Sequence, residues 1–350
     1  MHPEIDSVDL LIAAETMARL HGVTLAHASF SLSKILEEAI WEIKEHRVCG
    51  LLLWNQFMAP HVAMRSLAQS IGLPVRFLEY GSLPGTFAYD KEGQMAESRC
   101  VVQGKRFRKR SVDDSDLETA KRYLEVASSN RISRKAPDEM EFDVRREMRK
   151  PKKGERVVLC IGQFDVHTGM VPRWSPRSRV HSPIFSDSIE AVRMVELLLG
   201  DRGYHICFKP HPNWGVDLTS KWEVLEPKTS LVNKSDIFDS IDACDVVVTV
   251  LSQVAYLACM MGKPVVLLGR MQLSGSGAVY EVEHPSQIPE LIKTACDRGM
   301  TTEMCRCWVD HVARMLKYEL VQGDELVRGF VRRSVDDIVE DMASAITAKV

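Results

Sequence analysis

Residues 245–269 are DVVVTVLSQVAYLACMMGKPVVLLG, two apolar runs separated by a short helical stretch. Asp245-Val246-Val247-Val248-Thr249-Val250 is an unbroken β-branched run without polar alternation, the pattern of a strand buried on both faces. Leu251-Ser252-Gln253 interrupts it. Val254 to Met261 has the length of a short helix, and Gly262-Lys263-Pro264 stops that helix before a second apolar run, Val265 to Leu268, closed by Gly269. Strand, helix, strand in so little chain is a βαβ unit, which makes the two strands parallel. Ser252 falls where the helix begins. There it is either part of an anion site, where unpaired N–H groups and the helix dipole attract phosphate, or a plain N-cap.

Moving towards the N-terminus, the same alternation recurs. Val157 to Ile161 reads as a strand, Ser188 to Leu199 as a helix, His205 to Phe208 as a strand and Ile237 to Ala243 as a helix. A separate alternating series occupies the first 100 or so residues. Leu10-Leu11-Ile12-Ala13, Cys49 to Trp54 and Val75 to Leu78 read as strands, with helices over Ser31 to Arg47 and Pro60 to Ile71. Between these series the chain is charged and poor in apolar residues, with one helix over Asp116 to Ser128 and Ser115 as its cap. From Pro289 onward the pattern is helical. The sequence therefore predicts an α/β protein with two Rossmann-like parallel-sheet lobes and a ligand crevice between them, at the carboxyl ends of the strands.

Composition narrows the function. The 350 residues carry a net charge of -3, with 45% hydrophobic and 27% charged residues. No basic excess exists to displace counterions, so no nucleic-acid partner is expected. Lys105 to Arg110 and Arg145 to Lys153 are local basic runs, read as solvated faces or as contacts with an anionic membrane surface or glycan. No apolar run approaches the about 20 residues of a membrane span, and Met1 to Asp6 lacks the features of a secretory signal; a cytoplasmic location is expected, with peripheral contact at the inner face of the membrane. The nine cysteines are scattered. Cys305, Cys307 and His311 do not have zinc spacing, and no metal is expected. Without a Walker loop or G-x-G-x-x-G, no bound cofactor is expected either.

Four stretches carry chemistry. Phe208-Lys209-Pro210-His211-Pro212 leaves a strand end, stiffened by two prolines. Its Lys209 and His211 are either a phosphate pair or parts of a rigid loop. The turn at Ser252 is the second. In the third, Phe77-Leu78-Glu79-Tyr80-Gly81 continuing through Pro84, Thr86, Asp90 and Gly93, Glu79 is either a general base or an acceptor for loop N–H groups. The fourth, Ile161-Gly162-Gln163-Phe164-Asp165-Val166-His167, brings an amide, a carboxylate and an imidazole to one strand end.

In this order the stretches resemble the capsular polysaccharide biosynthesis family, which includes bacterial β-Kdo transferases. The matching pieces are Glu79, Gly81, Pro84, Thr86, Asp90 and Gly93; Gln163 with Ser182-Pro183; Lys209-Pro210-His211-Pro212; and Ser252 with Gly262-Lys263-Pro264-Val265 and Gly269. The resemblance spans residues 50 to 280 or so. It implies a GT-B-like architecture, a CMP-Kdo-like nucleotide-sugar donor, a glycan or glycolipid acceptor, and contact with capsule-assembly proteins. It also implies nucleotide phosphate binding by His211 and Pro212. Read with the residues themselves, Lys209 and Ser252 join them at the phosphate, Gln163 orients, Glu79 is the candidate base, and Asp165 or His167 is the catalytic group nearest the anomeric carbon. Residues 1–103 then form the acceptor-side lobe, 104–155 a charged linker, 156–285 the nucleotide-sugar lobe and 286–350 C-terminal helices. The family's glutamine motif resembles Gln-x-x-x-Asp. Here the fifth position is His167, and the nearest acid is Asp165. Leu257 stands before Ala258 where related transferases carry a ribose-binding glutamate. A UDP- or GDP-sugar transferase, an epimerase of the same fold and a non-catalytic binder are the alternatives.

Overall fold

The computed structural model describes residues 5–132, 144–200, 202–212 and 229–348. Two sheets organise it. The larger has six strands, β4 (Arg156–Ile161), β5 (Tyr204–Lys209), β6 (Ser230–Leu231), β7 (Val246–Thr249), β8 (Val265–Leu267) and β9 (Tyr280–Glu281), in the order β6-β5-β4-β7-β8-β9, all parallel. Helices between the strands cover its faces. Val246, Val247, Val248, Val265, Val266 and Leu267 are all essentially sealed from solvent, each burial worth about 1.5–3 kcal/mol. The βαβ reading of residues 245–269 holds, with the helix at Val254–Met260 and the glycine stop at Gly262 in the left-handed region, φ +71°. Lys263 completes that turn by donating to the Asp242 and Cys244 carbonyls, which end the helix Ile237–Asp242.

The smaller sheet has β1 (Leu51–Trp54), β2 (Val75–Tyr80), β3 (Thr86–Asp90) and β10 (Leu320–Gln322) in the order β1-β2-β3-β10. The α/β class expected from the sequence stands, but this sheet is mixed where a parallel one was expected. β1 and β2 are parallel, while β3 runs antiparallel to both β2 and β10. The reason lies in the connection: residues 81–85 are too few for a crossover, and a hairpin is the only closure. Gly81 makes that hairpin tight, because a Cβ there would meet Thr86 Oγ1 at 1.9 Å.

Three further expectations are corrected. Leu10 to Ala13 lies in the helix Ser7–His21, not in a strand. Asp9, Ile12, Ala13, Thr16 and Met17 are its buried stripe, an i, i+3, i+4, i+7, i+8 series, and Asp6 caps it by accepting the Val8 N–H. Asp113, not Ser115, caps the helix Asp114–Ser129, through a reciprocal pair of bonds with Asp116. That helix buries Ala120, Tyr123 and Ala127, and residues 133–143 of the same stretch lie outside the described residues. Third, the tail is not wholly helical: β10 joins the smaller sheet, and the helix Val335–Thr347 packs on it, where Arg76 Nε and the Tyr89 hydroxyl both donate to Asp341 Oδ2 at 2.5 and 2.7 Å.

Candidate functional site

Three loops leave adjacent strand ends of the larger sheet. β5, β4 and β7 are consecutive neighbours, with Lys209 opposite Ile161 and Ile161 opposite Thr249. Neighbouring strands lie about 5 Å apart, so the residues after them are forced into one small region. Lys209 ends β5, Gln163, Asp165 and His167 follow β4, and Ser252 follows β7.

Phe164 sits between the two imidazoles. Its ring stacks on His211 at a centroid distance of 5.7 Å and 21°, and meets His167 edge-on at 4.5 Å. The proline-bounded turn thereby brings His211 beside the glutamine loop. Pro212 is exposed at its outer end. The Lys209 ammonium gives one N–H to the Ser235 carbonyl at 2.5 Å, and Glu147 clasps the same loop through the Ser235 N–H at 2.8 Å.

Asp165 is buried and held by three bonds. Oδ1 accepts from Gln163 Nε2 at 2.6 Å and Ser188 Oγ at 2.8 Å, and Oδ2 accepts the Ser188 N–H at 3.1 Å. Burial raises its pKa to about 6 against the opposing pull of the Ser188 bonds. Gln163 is equally buried; its amide also touches Met170 Sδ at 3.2 Å, and its Oε1 has no partner. Burial, with the His61 charge adding to it, lowers the His167 pKa to about 4. The imidazole is neutral at pH 7, and its Nε2 is buried without a partner. Gln163 Oε1 and His167 Nε2 are thus two buried polar atoms without a partner within one short loop.

The helix boundary falls at Gln253, which makes no side-chain cap bond, and Ser252 takes up the helix's first N–H instead. The Ser252 N–H goes to Thr249 Oγ1 at 3.1 Å, and its Oγ accepts the Val254 N–H at 3.4 Å. What remains for a ligand is the hydroxyl proton.

Glu79 comes from the smaller sheet, half-buried near the end of β2. It is joined to the larger sheet's loop by Asn55, a residue that the sequence reading missed. Asn55 Nδ2 lies 3.3 Å from Glu79 Oε1 and 3.2 Å from the His167 carbonyl. Asn55 Oδ1 accepts the Phe57 N–H at 3.0 Å. Its backbone is left-handed, φ +49°, a conformation that Asn tolerates better than most residues. The available signal was an asparagine directly after an apolar strand.

The other residues of the third motif are structural. Asp90 accepts the N–H groups of Glu92 and Arg99, both at 2.8 Å. Thr86 Oγ1 donates to the Leu83 carbonyl at 2.6 Å, and the Pro84 carbonyl accepts from Tyr123. Likewise the Ser182 hydroxyl caps its own turn at Phe185.

A second contact between the halves was also missed. Glu97 gathers Arg65 Nη1 at 3.1 Å, His181 Nε2 at 3.3 Å and Arg177 Nη1 at 3.9 Å, with His181 sealed from solvent. Burial alone would raise the Glu97 pKa; the His181 bond and the two guanidinium charges overcome it and bring it down to about 2.

Cys305, Cys307 and His311 do not converge. Cys305 is exposed, while His311 is buried with its Nε2 3.0 Å from the Tyr256 hydroxyl. Among the described residues no group of three or more His, Cys, Asp or Glu could hold a metal ion. No described helix is long and apolar enough to cross a membrane.

No protein-family model and no curated protein matches the sequence. Solved structures do match. A β-Kdo 2,7 transferase, KpsC of Thermosulfurimonas dismutans, superposes with a TM-score of 0.50 at 16% identity, covering 88% of this chain and 89% of that one. The β-Kdo 2,4 transferase of the same protein gives 0.51 at 18% identity, over 76% and 79%. At such identities the likeness is one of fold: this chain has the GT-B-like α/β fold of those two β-Kdo transferases, the architecture that its motifs implied.

Proposed function

We propose that the chain is a glycosyltransferase that takes a sugar from a nucleotide donor, CMP-Kdo-like, and passes it to a glycan or glycolipid acceptor of a bacterial surface polysaccharide. One observation carries the reading. The loops after β4 and β5 gather Gln163, His167 and His211 around Phe164, and Asn55 joins that cluster to Glu79 of the other sheet. A transferase needs donor and acceptor groups at one place, supplied here by two halves of the chain.

In this reading Lys209, His211 and the Ser252 hydroxyl meet the donor phosphate, with Pro212 holding the turn. Leaving-group charge is balanced by the Lys209 ammonium rather than by a divalent cation, since the sequence has no Asp-x-Asp pair at a strand end. Asp165, in its three-bond frame, acts as a positioning residue. It sets Gln163 so that Oε1 faces the ligand. His167, neutral and with an unpartnered Nε2, accepts a hydrogen bond or a proton next to the transferred sugar. Glu79 acts as the base on the acceptor hydroxyl. The exposed Lys105, Arg106 and Arg108 offer an anionic acceptor or membrane its contact.

The test is a thermal-shift panel of CMP, CDP, UDP and GDP in chelator. CMP is expected to give the largest rise in Tm, about 2.7 kcal/mol of stabilisation at one hundred times Kd. A larger rise with UDP, or no rise until magnesium is added, would refute the CMP donor.

A further inference from the structure

Three glutamines far apart in sequence line one small cavity between the two sheets, together with Glu79, Asp90 and Glu319. Gln94 comes from the loop after β3, Gln253 from the turn after β7 and Gln272 from the loop after β8. Each has a buried polar atom without a partner: Nε2 of Gln94, Oε1 of Gln253 and Oε1 of Gln272. Gln94 and Gln272 are 4% and 7% exposed. The Gln94 orientation is fixed, because its Oε1 accepts the Gln56 N–H at 2.6 Å and so leaves the amide N–H as the unused group.

A buried polar atom left unpaired is costly, and several around one cavity call for a polar guest. The cavity measures about 20 Å³, enough for one water-sized body and too little for a sugar ring. The glutamines' unused groups are one donor and two acceptors, and the buried Ser82 Oγ is a fourth polar group on the same cavity. Their complement is an O–H oxygen, which accepts once through a lone pair: water then donates to both acceptors, and a carbohydrate hydroxyl, with its single proton, donates to one of them. A cation is disfavoured by the Gln94 N–H, and an anion by Glu79, Asp90 and Glu319.

We propose that this cavity is a built site for one neutral hydroxyl oxygen, held by Gln94, Gln253 and Gln272 beside Glu79. The oxygen belongs to water or to the hydroxyl of a carbohydrate that enters from the cleft. With a carbohydrate, the site holds an acceptor hydroxyl beside Glu79 through its lone pair and one of the two Oε1 atoms, which deepens the transferase reading and rests on it. With water, the site bridges the two sheets whatever the reaction is.

The experiment is crystallography of the full chain at a resolution that shows ordered water, alone and soaked with CMP-Kdo. One oxygen peak is expected within about 2.7–3.2 Å of at least two of the three glutamine atoms. A peak that persists unchanged in the soaked crystal assigns the guest as water; its replacement by a sugar hydroxyl assigns it as carbohydrate. The Gln272→Leu variant is expected to lose the peak while keeping the surrounding backbone. A dry cavity in the unsoaked crystal, or a peak unaffected by Gln272→Leu, overturns the proposal. If the chain binds no nucleotide sugar, the unsoaked crystal and the variant still decide it.

Discussion

The side-chain amide of Asn55 donates to the main-chain carbonyl of His167 at 3.2 Å, across 112 residues of sequence. The same Nδ2 lies 3.3 Å from Glu79 Oε1. One amide thus fixes the spacing between the proposed acceptor base and the loop that would face the donor sugar. Asn55→Gly keeps the left-handed backbone available and removes only the side chain. We expect it to cost about 1–2 kcal/mol in urea unfolding. Turnover should fall at least tenfold, with CMP affinity within about twofold, because a small displacement between reacting groups is enough to cost that much. Equal losses of binding and turnover would make the bridge a general structural tie.

His211→Ala tests the other side of the cluster. A hydrogen bond from imidazole to a charged phosphate contributes about 1.5–3 kcal/mol. Nucleotide affinity measured by calorimetry should therefore drop at least tenfold, with Tm of the unliganded protein nearly unchanged, since the ring stacks on Phe164 at the edge of the fold. Unchanged affinity would assign His211 to loop structure alone.

Asp165 gives a prediction in pH. Its folded pKa of about 6 lies above the ordinary 3.8, so the folded state holds the proton more tightly. That contribution is complete below pH 3.8 and is lost as pH rises through 6. Its size is on the order of 3 kcal/mol. His167, lowered to about 4 from 6.5, acts in the opposite sense: its contribution is present above pH 6.5 and is lost as pH falls towards 4. Unfolding free energies of the wild type and Asp165→Asn, measured from pH 4 to 7, should diverge. The variant should lack the decline that Asp165 ionisation imposes between pH 4 and 6. Parallel curves would show that Asp165 ionises normally.

Glu97 is the partner of Arg65, Arg177 and His181. In Glu97→Gln the shape survives, but two guanidinium groups lose a charge beside a sealed imidazole. Breaking one member of such a buried group costs about 3–5 kcal/mol, read from urea denaturation at pH 7. A loss below about 1 kcal/mol would mean that the surrounding groups find water instead.

Much of the larger sheet was legible because its valine runs have no polar alternation and its stops are Gly262 and Pro264. Leu10 to Ala13 was misread because four apolar residues fit strand and helix equally; only the spacing of Asp9, Thr16 and Met17 around them decides. The antiparallel β3 needed the turn to be counted as well as the strands. Lys209, His211 and Gln163 could be placed near one another from the sequence because they lie at or just after strand ends that adjoin. Asn55 could not, since its role depends on a backbone conformation and on a carbonyl 112 residues away. The Glu97 cluster joins residues 65, 97, 177 and 181, a grouping that only the tertiary fold creates. The sequence marked Asp165 or His167 for the anomeric carbon, and the three bonds from Gln163 and Ser188 to Asp165 support the positioning role proposed for it.

Transfer from a CMP-activated sugar is tested by the release of CMP from CMP-Kdo by the purified chain in chelator. The wild type is expected to release CMP, with acceptor glycan raising the rate and Glu79→Gln removing that increase. Release from UDP- or GDP-sugars under the same conditions but none from CMP-Kdo would contradict the claim, and so would CMP binding with no release from any CMP-sugar.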